Sequence, residues 1–104
     1  MTDRIDKLRT FLKTSPEDAF LRHALGLEYV KTGADAEAKK IFISLLVDQP
    51  GYTGSYYHLG KLLERMGDND AAAEWYRKGM EVCKISGDMH AYGELRGAFE
   101  ELTF

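Results

Sequence analysis

The residues that most often bind metals or attack substrates are few in this chain, and their spacing argues against a shared site. Cys83 is the single cysteine, and the histidines are His23, His58 and His90. A helix holds a metal ion through two ligands three or four residues apart, and no two of these side chains have that spacing. The sequence therefore predicts no metal site and no other cofactor.

Three partial motifs also stop short of a catalytic site. The run Gly-Asp-Asn-Asp at 67–70 begins like a calcium loop, but it lacks the bidentate glutamate at the loop's end. The glycines lack the Lys-Ser/Thr ending that closes a phosphate-binding loop. Ser44, Ser55 and Ser86 lie outside any nucleophile-elbow context. We therefore expect a protein that is not an enzyme.

The composition is that of one folded globular domain. Hydrophobic residues make up 44% of the 104 residues and charged residues 30%, which is typical of globular proteins. The formal net charge of −3 argues against nucleic acid as the main partner, because phosphate backbones attract basic proteins.

Three absences favour a cytoplasmic protein without a membrane partner. The first six residues carry charges with no apolar run behind them, so we expect no signal peptide. The run Leu45-Leu46-Val47 is far shorter than the roughly 20 apolar residues of a membrane span. A single cysteine forms no intramolecular disulfide, which fits a reducing compartment.

Hydrophobic periodicity predicts the elements that position these side chains. Apolar residues recur at spacings of three and four, which is typical of amphipathic helices, and no stretch alternates with a period of two. The pattern therefore predicts an all-α protein of about six helices. The six stripes are Ile5, Leu8 and Leu12; Leu21, Leu25 and Tyr29; Ala38, Ile41 or Phe42, and Leu45; Tyr56, Leu59, Leu63 and Met66; Ala72, Tyr76, Gly79 and Cys83; and Tyr92, Leu95, Phe99 and Leu102.

Capping residues indicate where these helices begin and end. Ser15 before Pro16 predicts an N-cap, with Asp18 on the reciprocal side of a capping box. Asp68 and Asp88 are expected to cap the helices that follow them. Gly33, Gly67 and Gly87 follow helical stripes, where a left-handed C-terminal cap favours glycine. The connections are then so short that successive helices must pack antiparallel as hairpins.

The sequence also resembles itself at a shift of 34 residues. Gly26 then aligns with Gly60, and Phe42 aligns with Tyr76. A glycine in the middle of a helix costs roughly 1 kcal/mol relative to alanine, so a close approach of two helices is the expected compensation. We expect the alanines at 38 and 72 to be the small partners of these glycines, with the two aromatic rings beside them.

These spacings resemble those of the tetratricopeptide repeat family. The first copy reads Leu-Gly-x-x-Tyr-x-x-x-Gly at 25–33, followed by Ala38, Phe42 and Pro50, and the second reads Tyr-x-x-Leu-Gly at 56–60. The resemblance implies an antiparallel helix-hairpin solenoid, a right-handed superhelix. It divides the single domain into an N-terminal helix (2–14), repeat 1 (19–52), repeat 2 (53–86) and a C-terminal capping helix (88–102). Arg22 departs from the family, since an aromatic residue usually stands there.

The resemblance also implies a function and its residues. In the family, the first helix of each repeat lines a concave groove that binds peptides or helices of partner proteins. The matching positions here are Phe20, His23, Leu27, Val30 and Lys31 in repeat 1, and Gly54, Tyr57, Lys61, Glu64 and Arg65 in repeat 2. We expect Leu27 and Tyr57 to be the anchors of an adaptor that binds an unidentified protein or peptide. Lys61 and Arg65, one turn apart, are expected to receive a carboxylate of the partner.

Two other interpretations are weighed against this one. The carboxylate-clamp subset of the family places Lys and Asn where this chain has His23 and Leu27, and Asn where it has His58, so a chaperone-tail clamp is disfavoured. The alternative is a self-associating structural protein, a homodimer through the groove or an end face. An exposed Phe11 beside the Leu8 and Leu12 stripe would favour that alternative.

Overall fold

The computed structural model describes residues 3–104, and all the regular structure in that range is helical. Thr2, with which the predicted first helix begins, lies outside the described residues. The number of helices and the all-α class agree with the prediction from hydrophobic periodicity. The helices are α1 (Asp3–Thr14), α2 (Ala19–Lys31), α3 (Asp35–Asp48), α4 (Gly54–Arg65), α5 (Asn69–Ser86) and α6 (Met89–Thr103).

The chain forms two compact units, of which the first ends at Gln49 and the second begins at Pro50. In the first unit, α2 packs against both α1 and α3. In the second unit, α5 packs against both α4 and α6, and α4 also contacts α6. The limits predicted for the repeats and flanking helices stay a prediction, although α2 and α3 lie within 19–52 and α4 and α5 within 53–86.

The core of the first unit joins α1 to α2 and α2 to α3. Leu8, Ala24 and Leu25 are buried together, and the partly buried side chains of Leu12 and Ile41 pack against them. Polar contacts supplement this packing at the α1–α2 boundary. The Nε of Arg4 lies 3.0 Å from the Glu28 carboxylate, and Arg9 donates a hydrogen bond of 2.9 Å to the Tyr29 hydroxyl.

In each unit the ring of an aromatic residue lies directly on a helical glycine. A Cβ added to Gly26 would lie 2.7 Å from Cε1 of Phe42, and one added to Gly60 would lie 2.1 Å from Cε1 of Tyr76. The close approach predicted for these glycines is confirmed. The nearest atoms are those of the rings and not, as predicted, the methyl groups of the alanines at 38 and 72.

A third close approach joins all three helices of the second unit. A Cβ on Gly79 of α5 would lie 2.7 Å from the Tyr56 Cβ of α4 and 2.8 Å from Leu95 Cδ1 of α6. The Tyr56 ring is fully buried there, and its hydroxyl donates a 2.6 Å hydrogen bond to the Pro50 carbonyl oxygen. Even one methyl group at Gly79 would therefore force the start of the Tyr56 side chain, and α4 with it, to shift, whereas the end of the Leu95 side chain can move by itself.

The helix ends follow the predicted capping with one correction. Gly33, Gly67 and Gly87 have φ of 81°, 85° and 81°, which confirms their left-handed caps. The carboxylates of Asp68 and Asp88 accept hydrogen bonds from the backbone N–H three residues on, at 3.2 Å each, so they cap α5 and α6 as predicted.

The prediction that Ser15 caps α2 was wrong. The N-cap is Asp18, whose carboxylate accepts a 3.0 Å hydrogen bond from the Leu21 N–H. Ser15 instead begins a turn, because its carbonyl accepts the Asp18 N–H at 3.1 Å. Pro16 fits the second position of that turn, where its fixed φ is favourable.

Candidate partner-binding faces

The first set of predicted binding residues forms a stripe along one face of α2. Phe20, His23, Leu27 and Val30 recur at spacings of three and four, which places them on the same side of the helix. Phe20 is 67% exposed, whereas the other three are half-buried. The apolar surface of this face is therefore largest at the N-terminal end of α2.

Two residues of the α2 face are also engaged within the first unit. The His23 ring lies 5.6 Å from the Phe42 ring, centroid to centroid, so it packs on the same α3 side chain that covers Gly26. The Lys31 Nζ lies 3.7 Å from the Glu28 carboxylate. Because the Glu28 carboxylate also pairs with Arg4, it compensates the positive charge of Lys31 only in part.

The second set lies on α4, with Tyr57 at its centre. Tyr57 is half-buried, and its ring meets the His58 ring edge-on with centroids 5.7 Å apart. The ammonium group of Lys61 lies 5.8 Å from the Tyr57 ring centroid, within range of a cation–π contact. Arg65 is exposed one turn further on, and Gly54 is exposed at the first residue of the helix.

Glu64 on the same helix connects this face to the core of the second unit. Its carboxylate accepts a 2.5 Å hydrogen bond from the Tyr76 hydroxyl and lies 3.9 Å from the Lys61 ammonium group. Burial and this hydrogen bond raise the pKa of the Tyr76 hydroxyl. Lys61 therefore already has one carboxylate beside it, which the spacing of Lys61 and Arg65 alone did not reveal.

Cys83 and the acidic and histidine side chains show no arrangement suited to chemistry in the part of the chain that the structure describes. Cys83 is fully buried in the second unit, and burial raises the pKa of its thiol, which keeps it protonated at neutral pH. Among residues 3–104, no three His, Cys, Asp or Glu side chains come close enough to hold a metal ion together. No helix in that range is long and apolar enough to cross a lipid bilayer.

Comparison with known proteins identifies the family. A family model described as Tetratricopeptide repeat matches residues 53–85. The TPR repeat-containing protein PA0015 of Pseudomonas aeruginosa is 30% identical over 92 residues, which cover 88% of this chain and 87% of that protein. This chain is a tetratricopeptide repeat protein. The resemblance inferred from the 34-residue spacing is thereby confirmed.

Solved structures agree with this assignment. The crystal structure of a tetratricopeptide repeat domain protein from Salinibacter ruber is 38% identical, with a TM-score of 0.78, and covers 82% of this chain and 94% of that one. The solution structure of a Bordetella parapertussis protein has a TM-score of 0.83 over 98% of this chain and 89% of that one. At 24% identity the second likeness shows the fold alone. The predicted fold class is confirmed.

The family also sets the general function. Tetratricopeptide repeat proteins are protein–protein interaction modules, and their fold is generally a non-enzymatic scaffold. The predicted role in binding protein partners is confirmed at this level. The assignment of that role to Phe20, His23, Leu27, Val30 and Lys31 of α2 and to Tyr57, Lys61, Glu64 and Arg65 of α4 stays a prediction.

Proposed function

We propose that this tetratricopeptide repeat protein is an adaptor that binds a peptide or helix of a partner protein, with the exposed face of α2 as the binding surface of the first unit and that of α4 as the binding surface of the second. The observation that carries the proposal is the exposure of Phe20, 67%, at the head of a stripe that continues with Leu27 and Val30. A single exposed apolar side chain is ordinary, but apolar side chains that adjoin on one helix face are typical of a protein-interaction site.

Apolar burial is the main source of affinity in this proposal. Covering one large apolar side chain stabilises a complex by about 1.5–3 kcal/mol, and Phe20 has most of its surface available. Leu27 and Tyr57 have less free surface. Because their side chains are half-buried, packing already restricts their rotamers, and they lose less side-chain entropy on binding. We assign them the role of anchors.

The cations of α4 contribute mainly to orientation. A partner carboxylate at Lys61 competes with Glu64, which lies 3.9 Å away. Exposed ion pairs are worth about 0–1 kcal/mol, so we expect charge to select the direction of the bound segment more than its affinity. Tyr57, under the Lys61 ammonium group, supplies the apolar part of the same contact.

The test is capture of partners from a lysate of the source cell by the wild type and by the double variant Leu27→Glu with Tyr57→Glu, read by mass spectrometry. We expect the variant to lose the specific partner and to keep its helical circular dichroism. The matched control is Val47→Glu with Ile85→Glu, two exposed apolar residues of α3 and α5. The proposal is wrong if the control and the double variant capture the same proteins.

A second candidate, self-association, is favoured by one observation. Phe11 is 55% exposed on α1, while its neighbour Leu8 is buried and Leu12 is half-buried. This is the apolar side chain that an end-to-end homodimer would cover. Light scattering at high protein concentration distinguishes the two candidates, because self-association predicts a dimer that Phe11→Glu dissociates, whereas the adaptor proposal predicts a monomer for both proteins.

A further inference from the structure

A series of contacts in the second unit runs from its core to the exposed face of α4. The Tyr76 ring rests on Gly60 of α4, and its hydroxyl donates a 2.5 Å hydrogen bond to the Glu64 carboxylate, one turn further along the same helix. Because the ring is fully buried, packing fixes the position of its hydroxyl relative to α4. The core therefore holds a carboxylate at a set position on the face proposed to bind a partner.

The first unit has the same packing without the hydroxyl. Phe42 lies 34 residues before Tyr76, and its ring rests on Gly26 as the Tyr76 ring rests on Gly60. Phe42 is also fully buried. The contact between ring and glycine thus forms without a hydroxyl, so we look for the role of the Tyr76 hydroxyl in the carboxylate that it contacts.

Two positions on the binding faces differ between the units in parallel with this one. Lys61 and Glu64 of α4 correspond to Leu27 and Val30 of α2, which carry no charge. The tyrosine hydroxyl therefore occurs together with a charged pair, whereas the phenylalanine occurs with two aliphatic residues. This is the pattern expected if the hydroxyl acts on the charged pair and not on the packing of the core.

The distances within the charged pair show what the hydroxyl does. The Lys61 ammonium group lies 3.9 Å from the Glu64 oxygen that accepts the Tyr76 hydrogen bond, which is beyond hydrogen-bond distance. Lysine and glutamate three residues apart on a helix can otherwise form a close ion pair. The ammonium group instead lies 5.8 Å from the Tyr57 ring centroid, and the Lys61 side chain is 44% exposed. The two charges are thus held apart, and that of Lys61 stays accessible.

We propose that Tyr76 is a positioning residue that keeps Glu64 away from Lys61 and so leaves the α4 face open to an anionic group of the partner. If Glu64 moved to the ammonium group, the buried Tyr76 hydroxyl would lose its acceptor, which is costly. Tyr76→Phe removes this restraint, and Glu64 then neutralises Lys61 from within the same helix. The inference rests on the adaptor function proposed above, but the first measurement does not need a partner.

That measurement is a ¹⁵N–¹H spectrum of the lysine ammonium groups of the whole chain at low temperature. An ammonium group in a close ion pair exchanges its hydrogens slowly with water, because charge-assisted hydrogen bonds hold them. We expect Lys61 of the wild type to exchange about as fast as the exposed Lys7, and more slowly in Tyr76→Phe. Adding Glu64→Gln to that variant should restore fast exchange. Equal rates in the wild type and a folded Tyr76→Phe protein would overturn the proposal.

The first unit supplies the same test if Tyr76→Phe does not fold. Leu27→Lys with Val30→Glu places the charged pair on α2, where Phe42 has no hydroxyl to offer. We expect the introduced ammonium group to exchange slowly, and Phe42→Tyr in this background to make its exchange fast. An ammonium group that exchanges at the same rate with and without Phe42→Tyr would contradict the role given to the hydroxyl.

An anionic probe measures the consequence for binding. Inorganic phosphate, followed through the ammonium shift of Lys61, should bind about twofold more weakly to Tyr76→Phe than to the wild type, because an ion pair of this spacing is weak. Glu64→Gln should bind phosphate more tightly than the wild type, and Tyr76→Phe should have no further effect in that background. Glu74→Gln, which removes a carboxylate paired with Arg77 on α5, is the matched control and should change nothing.

The double variant separates a positioning role from a structural one. An effect of Tyr76→Phe on phosphate binding that persists without the Glu64 carboxylate would overturn the proposal, since it would come from a change in the core. The partner captured in the test of the adaptor function should bind most tightly to Glu64→Gln and most weakly to Tyr76→Phe, and the reverse order would contradict the inference. Failure to capture any partner would contradict the adaptor function alone, and the exchange rates and phosphate affinities then decide the inference.

Discussion

At the scale of single residues, two glycines set how closely the helices of each hairpin approach. The Phe42 ring rests on Gly26, and the Tyr76 ring rests on Gly60. Both glycines were identified from the sequence. Glycine destabilises the interior of a helix, so a glycine that recurs at the same position of two helices indicates a close packing contact there. The spacing also placed the Phe42 and Tyr76 rings beside these glycines, but it did not show that the rings, and not the alanines at 38 and 72, lie directly on them, because that depends on side-chain rotamers.

Gly60→Ala should destabilise the protein although alanine favours helices. The added methyl group would lie 2.1 Å from a carbon of the buried Tyr76 ring, so the ring or the helix must move. We expect a loss of about 1–3 kcal/mol in the free energy of unfolding, measured with urea. Gly97→Ala on α6 is the control, since nothing lies within 4 Å of its added Cβ, and it should gain about 0.5–1 kcal/mol. A stable Gly60 variant would contradict the packing described here.

Tyr76→Phe should change the response of stability to alkaline pH. The pKa of Tyr76 is raised in the folded protein by burial and by its hydrogen bond to Glu64, so above about pH 10 the unfolded chain releases a proton that the folded chain keeps. Stability contributed by this group is complete below pH 10 and falls as pH rises above it.

The measurement is the free energy of unfolding of wild type and Tyr76→Phe between about pH 8 and 11. The phenylalanine variant should be less stable at pH 8 and should lose less stability as pH rises. Tyr56, whose pKa is also raised by burial, is present in both proteins and contributes equally to the dependence of their unfolding free energies on pH. Parallel curves would show that Tyr76 titrates alike in the folded and unfolded chains.

At the scale of helices, one carboxylate links the starts of α4 and α6. Asp88 caps α6 through the Ala91 N–H and also accepts a 2.7 Å hydrogen bond from the hydroxyl of Thr53, the residue before α4. The Thr53 hydrogen bond first, and then the backbone hydrogen bond, lower the pKa of Asp88. The sequence predicted the cap but not the contact with Thr53, which is 35 residues away.

Asp88→Asn should destabilise the protein at neutral pH and much less in acid. Asparagine caps a helix about as well as aspartate, so the difference between the two proteins reports the charge. That contribution is present above the ordinary pKa of an aspartate, about 4, and is lost as pH falls through the lower pKa of the folded state. Urea unfolding between about pH 2 and 7 measures it, and in a Thr53→Val background the difference should shrink. A constant difference across this range would contradict the assignment.

The contrast between Ser15 and Asp18 shows that residue types alone do not determine the residue at which α2 begins. Both residues are good caps, and Pro16 is favourable both in the first turn of a helix and in a β-turn. The two candidate N-caps are three residues apart. The choice depends on the carbonyl of Ser15, which accepts the Asp18 N–H, and that contact is not visible in residue types.

At the scale of the whole molecule, the family and the all-α class were predictable because they depend on many spaced positions at once. The pocket lined by Leu12, Arg22 and Ile41 in the first unit was not predicted, although the resemblance to the family implies that an aromatic residue usually stands at position 22. A single residue that departs from the family pattern indicates that the local packing differs, but it does not show what structure replaces the usual one. Here the Arg22 side chain and the Ser44 hydroxyl to which it donates both line the pocket, which no aromatic ring fills.

The second unit should fold when it is expressed alone as residues 50–104. Its three helices meet at Gly79, and Tyr56, Tyr76 and Leu95 are fully buried. We expect helical circular dichroism and a cooperative urea transition. Residues 1–49 alone should be less stable, since their packing leaves a pocket and a buried guanidinium nitrogen without an acceptor. A non-cooperative transition for residues 50–104 would contradict this expectation.

The ring seated on Gly60 has a consequence for motion. A tyrosine ring turns by 180° only when its surroundings expand, and the ring of Tyr76 is confined by the backbone of α4 on one side and tethered by its hydroxyl to Glu64. Each ring flip therefore requires α4 and α5 to separate briefly and the hydrogen bond to break. The flip rate of Tyr76, compared with that of the untethered Phe42 ring on Gly26, reports how often each hairpin opens while the protein remains folded.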